Sequence, residues 1–184
     1  MRSDRDFREL LTERLRLRRS HPDDAVVISA YRSDPDVHRF QGWERTDVEA
    51  VRAEIAAMTE RSPGSPGGWV QLTVEERGSG QLVGDIGLST VDGEPGVVKV
   101  GYTIDPTFQG RGYATEAVRA LVVYAFETLA ADVVRMHASA DNAASIRVAE
   151  KAGLRFVERR QYRDGDDIWF GVRYELDRAR RSAV

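Results

Sequence analysis

The sequence predicts an α+β fold: a mixed, mostly antiparallel β-sheet of about seven strands covered by helices. Three observations carry this reading. An apolar–charged alternation opens the chain, three strand-like runs joined by Gly-rich turns fill its middle, and helices alternate with strands only afterwards. Even interleaving throughout would indicate a doubly wound parallel sheet instead.

Leu15 and Leu17 alternate with Arg14, Arg16 and Arg18, so Glu13 to Arg19 reads as a half-buried strand. Ser20-His21-Pro22-Asp23-Asp24 starts a helix running to about Ser33, because Pro suits a first helical position and acids suit the positive helix end. Pro35 opens a short turn or helix ending near Phe40, followed by the loop Gln41-Gly42-Trp43. Thr46-Asp47-Val48-Glu49 reads as a capping box ahead of a helix to about Arg61. Ser62 to Gly68 is a Gly/Pro-rich surface loop. Trp69 to Glu76, Gln81 to Ser89 and Val97 to Ile104 form a meander, with turns at Gly78-Ser79-Gly80 and Asp92 to Gly96. The strongest helical period lies in Gly112 to Leu129, where Ala114, Ala117, Val118, Leu121, Val122, Ala125 and Leu129 recur on one face. A strand Val133 to Ala138 follows, then a helix from Asn142 or Ala143 that Gly153 closes. Leu154 to Arg163 and Ile168 to Leu176 are paired strands about Asp164-Gly165-Asp166-Asp167. Residues 10–177 make a single domain, with 1–9 and 178–184 as terminal tails.

The 184 residues fit one domain, and 41% apolar with 31% charged residues is a globular balance. A net charge of −3 argues against a nucleic-acid partner, which calls for a basic excess. The absence of Cys excludes disulfides, thiolate metal sites and a Cys nucleophile. His21, His38 and His137 share no ligand spacing, so no metal is expected. No apolar run nears the roughly 18–20 residues that span a bilayer, and Met1 to Arg8 has no apolar signal core. The expectation is a cytoplasmic protein without a membrane partner.

The informative segment is Tyr102 to Thr115, a strand, a loop with Gly110 and Gly112, then the best helix. Glycines allow positive φ, successive N–H groups can cradle an anion, and a helix N-terminus adds positive charge. Arg111 adds a charge-assisted donor. The same residues also suit a plain tight turn. A Walker loop is excluded because Tyr113 follows Gly112, and a Rossmann fingerprint because Thr115 stands where Gly or Ala is required. Asn142 and Ser145, three apart at a helix start, share a face; they are equally an N-cap and a first-turn residue.

Gln109-Gly110-Arg111-Gly112-Tyr113-Ala114 resembles the acyl-CoA loop of the GNAT superfamily of N-acyltransferases. The run from Asp141-Asn142 through Ser145 to Glu150-Lys151-Ala152-Gly153-Leu154-Arg155-Phe156 resembles the signature of its ribosomal-protein alanine N-acetyltransferase branch, RimJ/RimL-like. Glu13 to Arg18, and Gly42-Trp43 beyond the following helix, are similar to that branch's N-terminal half, so the likeness spans about residues 10–177.

The resemblance implies a sheet splayed in the middle to hold acyl-CoA, between the strands Val97 to Ile104 and Val133 to Ala138. It implies transfer of acetyl from acetyl-CoA directly to a primary amine: a protein N-terminal α-amine, an amino acid, a polyamine or an aminoglycoside. Tyr102, Thr103 and Ile104 would face the pantetheine, with Gly101 marking a β-bulge or a close backbone approach. Gln109, Gly110, Arg111, Gly112, Tyr113, Ala114 and Thr115 would hold the pyrophosphate. Asn142 would contact the pantetheine, and Ser145 would assist the leaving thiolate. Lys99 stands where the branch often carries Glu. Either a water chain or another residue would then take the proton, Asp85 being the candidate though it equally suits a hydrogen-bonded strand position, and Lys99 would instead favour an acceptor carboxylate. Tyr31, Phe40 and Trp43 are candidate acceptor-pocket residues. Family habit makes a homodimer an open option. The alternatives are a non-catalytic acyl-CoA-binding regulatory module, motivated by Lys99, and a nucleotide-binding protein using the same loop.

Overall fold

The computed structural model describes residues 1–41, 43, 46–164 and 167–181. Gly42, Gly165, Asp166 and residues 182–184, which carry parts of the readings above, lie outside them. One eight-stranded sheet forms the centre, in the order β1-β2-β3-β4-β5-β6-β8-β7. Its strands are β1 (Glu9–Leu11), β2 (Leu15–Arg19), β3 (Trp69–Glu76), β4 (Leu82–Val91), β5 (Glu94–Ile104), β6 (Val133–Ser139), β7 (Arg155–Asp164) and β8 (Asp167–Asp177). Every neighbouring pair is antiparallel except β5 and β6.

The strand alternation at the start holds. Leu15 and Leu17 are fully buried while Arg16 is exposed. Arg18, on the polar face, forks onto both carboxylate oxygens of Asp24 at 2.8 and 2.9 Å and bonds Glu75 at 2.6 Å. The strand begins at Leu15, and a further strand, β1, precedes it. Three residues are too few for a readable alternation.

Helices cover both faces. On one lie α1 (Ala25–Arg32), α2 (Pro35–His38) and α3 (Val48–Thr59), whose cluster joins Ala25, Ile28, Tyr31, Val51 and Ile55. The cap of α3 is Asp47, accepting from the Ala50 N–H at 3.1 Å, and not Thr46. On the other lie α4 (Tyr113–Glu127) and α5 (Ala143–Lys151). The predicted stripe of α4 is the core: Ala117, Val118, Leu121, Val122 and Ala125 pack on Val98, Val100 and Ile104 of β5. Gly153, at φ +92°, ends α5 in the left-handed region as expected of a C′ glycine.

Both ends of the described residues are built into the fold. The Arg2 N–H donates to the Leu129 carbonyl at 2.6 Å, and the Asp4 N–H to Pro63 at 2.8 Å. Phe7 is buried, edge-on to Tyr124 at 5.5 Å. A short helix, α6 (Arg178–Arg181), follows β8, and Arg178 donates to the Ala131 carbonyl. Residues 1–9 are therefore no loose tail, because one aromatic side chain and two backbone bonds tie them to the core. No helix is long and apolar enough to cross a membrane among the described residues.

Phe7→Ala should destabilise the domain by about 3 kcal/mol, the usual cost of truncating a buried Phe. Urea unfolding checks this as a lower midpoint at unchanged slope.

Candidate functional site

The site begins where β5 and β6 part. Their parallel ladder has three registered pairs, Val97 with Val133, Val98 with Val134 and Lys99 with Arg135. Beyond Lys99, β5 runs on to Ile104 paired only to β4, and β6 to Ser139 paired only to β8. The facing edges diverge, and backbone donors and acceptors on both are open to a ligand. A cleft of about 740 Å³ fills the gap, lined by Val100 to Ile104, Gln109, Gly110, Gly112 to Thr115 and Met136 to Ser139 among others. A hollow of about 770 Å³ beside α4 is lined largely by β1, the β1–β2 turn and α4, away from the gap between β5 and β6.

The glycine loop closes one end of the cleft. Gly110 and Gly112 have φ of +75° and +83°, so both positions need glycine. Gly112 is the N-cap of α4 and supplies no side-chain cap. The first helical donor to close a bond is Glu116, onto the Gly112 carbonyl at 3.1 Å. The amides ahead of it point outward at the positive end of the helix dipole. Gln109 pins the loop to β5, donating to the Ile104 carbonyl at 3.0 Å. Arg111 is exposed, donates to the Thr107 carbonyl at 3.1 Å, and lies over Phe108. The Tyr113 hydroxyl bonds Glu76 and its ring is buried beneath Arg14, so Tyr113 anchors the helix start.

A strap absent from the sequence reading holds the loop from behind. Arg14 bonds the Glu116 carboxylate at 2.7 Å and the Arg111 carbonyl at 2.9 Å. Burial alone would raise the Glu116 carboxyl. Hydrogen bonds from Thr12, the Arg14 amide and the Arg14 guanidinium outweigh it and hold the carboxyl below its ordinary value.

The far side is the start of α5. Asn142 caps that helix, its Oδ1 accepting from the Ser145 N–H at 3.0 Å. Its side-chain amide donors are not needed for that bond. Both residues line the cleft. Burial pushes the Tyr102 phenol up, and the neighbouring Ser145 side chain partly offsets this. Tyr102 therefore faces Ser145 across the opening as a protonated phenol. Thr103 is buried, and its hydroxyl accepts from Gln41 at 3.3 Å. Gly101 is opposite Gly87 in unbroken register and is not a bulge; the Trp69 ring comes within 3.3 Å of where its Cβ would be.

The profile of the acetyltransferase (GNAT) domain family matches residues 14–155. The chain belongs to the GNAT acetyltransferase family. N-acetyltransferase p20 of Bacillus licheniformis is 31% identical over 76% of this chain and 78% of its own length. A GNAT-family acetyltransferase of Bacillus anthracis superposes with a TM-score of 0.79 at 25% identity, covering 92% of this chain and 98% of its own. Mycobacterium smegmatis RimJ, solved with CoA-disulfide, shares the fold with a TM-score of 0.77 at 17% identity, covering 90% and 83% of the two chains. This GNAT protein is thus an acetyl-CoA-dependent acyltransferase, with neighbours named as RimJ/RimL-type enzymes.

The cleft gathers the predicted cofactor residues except Arg111, together with Phe40. Four other predicted residues stand away from it. Asp85 is 2% exposed and committed elsewhere: it accepts from Tyr31 and Gln71 and pairs with Arg32 at 3.4 Å. A carboxylate so enclosed has no path to a substrate amine, so Asp85 is not placed as the base. Tyr31 is buried against it, and burial followed by the Asp85 charge drives its phenol well above the ordinary value. Trp43 stacks on Arg32 at 4.5 Å. The Lys99 ammonium sits 5.8 Å from the Trp69 ring centroid. These residues brace the sheet face under α1 and α3. Among the cleft residues to which the sequence reading gave no site role are Gln41 and His137.

Glu116→Gln should lower stability by about 1 kcal/mol at neutral pH, the scale of a charge-assisted bond at a partly exposed site. Because the folded carboxyl lies below its ordinary 4.5, this contribution is complete above that pH and drains away as pH falls through the folded value. The gap between wild type and variant in denaturant midpoint should therefore close in acid.

Proposed function

We propose that this enzyme moves the acetyl group of acetyl-CoA directly onto a primary amine, with no covalent enzyme intermediate. The observation that carries the reading is the uncapped N-terminus of α4, reached through two positive-φ glycines, beside two strand edges that end their ladder at Lys99. An anion and an amide-bearing arm together match those two sets of free groups. The chain has no Cys, which removes the usual acyl-enzyme nucleophile.

In this reading the amides of Gly110 to Thr115 and the Arg111 guanidinium hold the pyrophosphate. The open edge of β5 at Gly101 to Ile104 pairs with the pantetheine amides, and Asn142 offers its side-chain NH2 to the same arm. A β5 amide near Gly101 serves as oxyanion donor. Ser145 donates a proton or hydrogen bond to the departing sulfur, and Tyr102 orients that hydroxyl. The acceptor approaches past Phe40 and Gln41. An N-terminal α-amine and a small free amine both suit this entrance; the RimJ/RimL-type neighbours favour the former.

Thiol release from acetyl-CoA, measured over N-terminal peptides, amino acids, polyamines and aminoglycosides, tests the reading. A clear rate with one class supports it and names the acceptor. Binding without release from any amine would favour a non-catalytic acyl-CoA module. Gly112→Asp adds a strained Cβ and a negative charge at the loop, and should weaken acetyl-CoA binding about 100-fold or more by calorimetry. Ser145→Ala should retain that affinity and lower kcat about 100-fold, the scale of one positioned acid.

A further inference from the structure

Direct transfer needs a group that takes a proton from the incoming ammonium, and Asp85 cannot reach it. Among the described residues lining the cleft, the carboxylates near the entrance are engaged: Asp34 caps α2, accepting the Asp36 N–H at 2.8 Å, and Asp36 pairs with Arg39 at 3.5 Å. His137 also lines the cleft. It lies on β6, two residues beyond the last registered pair, Lys99 with Arg135. Carried forward, that register brings His137 abreast of Gly101, where the splay starts. It shares a sheet face with Arg135, Lys99 and Gly101, because side chains alternate along a strand. The opposite face carries Tyr102 and Met136, packed toward α4.

We propose that His137 is the general base of this GNAT enzyme, taking the proton from the acceptor ammonium at the mouth of the splay. The proposal rests on the transferase reading and names a further catalytic residue for it. One proton passes from the ammonium to an imidazole nitrogen, leaving a neutral amine. Its lone pair forms the C–N bond at the thioester carbonyl. The C–S bond breaks with its electron pair going to sulfur. The second nitrogen proton leaves as the amide forms, and sulfur gains one with help from Ser145. The imidazolium returns its proton to water.

The surroundings keep the ring ready. His137 is an exposed residue at the cleft wall; partial desolvation first, then the charges of Lys99 on β5, Arg135 on its own strand and Arg173 on β8, lower the imidazole below its ordinary value, and Glu175 on β8 opposes them. Arg135 is itself paired with Glu94 and Glu175, and Arg173 contacts Glu158 and Glu175, which leaves Lys99, in the last registered pair before the splay, as the nearby cation. His137 is thus neutral at physiological pH and able to accept a proton. Lys99 acquires a role as a positioning charge that holds the base unprotonated.

The test is the pH dependence of kcat/KM for the wild type, His137→Gln and Lys99→Met, with acetyl-CoA affinity measured alongside. The wild type should lose activity in acid through an inflection below the ordinary imidazole value of 6.5. His137→Gln should bind acetyl-CoA normally, lose about 100-fold or more in rate at neutral pH, and lack that inflection. Lys99→Met should keep the inflection but move it upward. A His137→Gln enzyme with wild-type rate and profile overturns the proposal while leaving the transferase reading intact. A wild type that binds acetyl-CoA but acetylates no amine overturns both.

Discussion

The architecture depends on one short ladder. Three parallel pairs join two antiparallel half-sheets, β1 to β5 and β6 to β8. A parallel pair cannot be made by a hairpin, so the chain must cross over between β5 and β6. The crossover is α4, and it must begin at the C-terminal end of β5, where the strands have already separated. The helix N-terminus and its glycine loop therefore arrive at the opening as a consequence of connectivity. The same holds for α5, which starts just after β6 ends. Two helix N-termini, each carrying partial positive charge, converge on one cleft.

Each half-sheet is satisfied without the other. β5 remains bonded to β4 up to Ile104, and β6 to β8 up to Ser139. Opening the centre sacrifices only the bonds that the facing edges would have made to one another. Those edges stay exposed to water in the free protein and are spared the penalty of burial without partners. A ligand able to replace the missing strand recovers them. On the proposed reading this strand-shaped cleft, with the glycine loop as an anion site at one end, would select, more than any single side chain does, an elongated thioester with amides in its arm and phosphate at its tail.

What was legible in the sequence is what depends on local pattern. The stripe of α4, the glycines at 110 and 112, the cap at Asn142 and the stop at Gly153 all rest on neighbours within a turn or two. Their positions follow from helical period, positive φ and capping chemistry. What was not legible depends on contacts across the chain. Arg14 meets Glu116 at a separation of 102 residues, and Tyr31 meets Asp85 at 54. Gly84-Asp85-Ile86-Gly87 reads as a polar residue in a strand; only the packing of α1 shows its carboxylate enclosed by Tyr31, Gln71 and Arg32. His137 was set aside because no other histidine lay at metal-ligand spacing. Its informative neighbours are Arg135 and Lys99, and register brings them together.

The two sheet faces divide the chemistry. Along β5, Val98, Val100, Tyr102 and Ile104 pack toward α4 and α5, while Lys99, Gly101 and Thr103 face Trp69, Gln41 and the α1–α3 layer. A ligand lying in the splay passes between these faces. On one side it meets Tyr102 and Ser145, hydroxyl groups suited to donate to a leaving sulfur. On the other it meets a histidine among cations, suited to accept from an arriving ammonium. Acid and base placed on one face would bond to each other and idle. On the proposed assignments the plane of the sheet separates them, and the acetyl carbon would sit at the point that both can reach. A glycine at position 101 keeps that point clear, since a Cβ there would press toward the Trp69 ring that flanks the entrance.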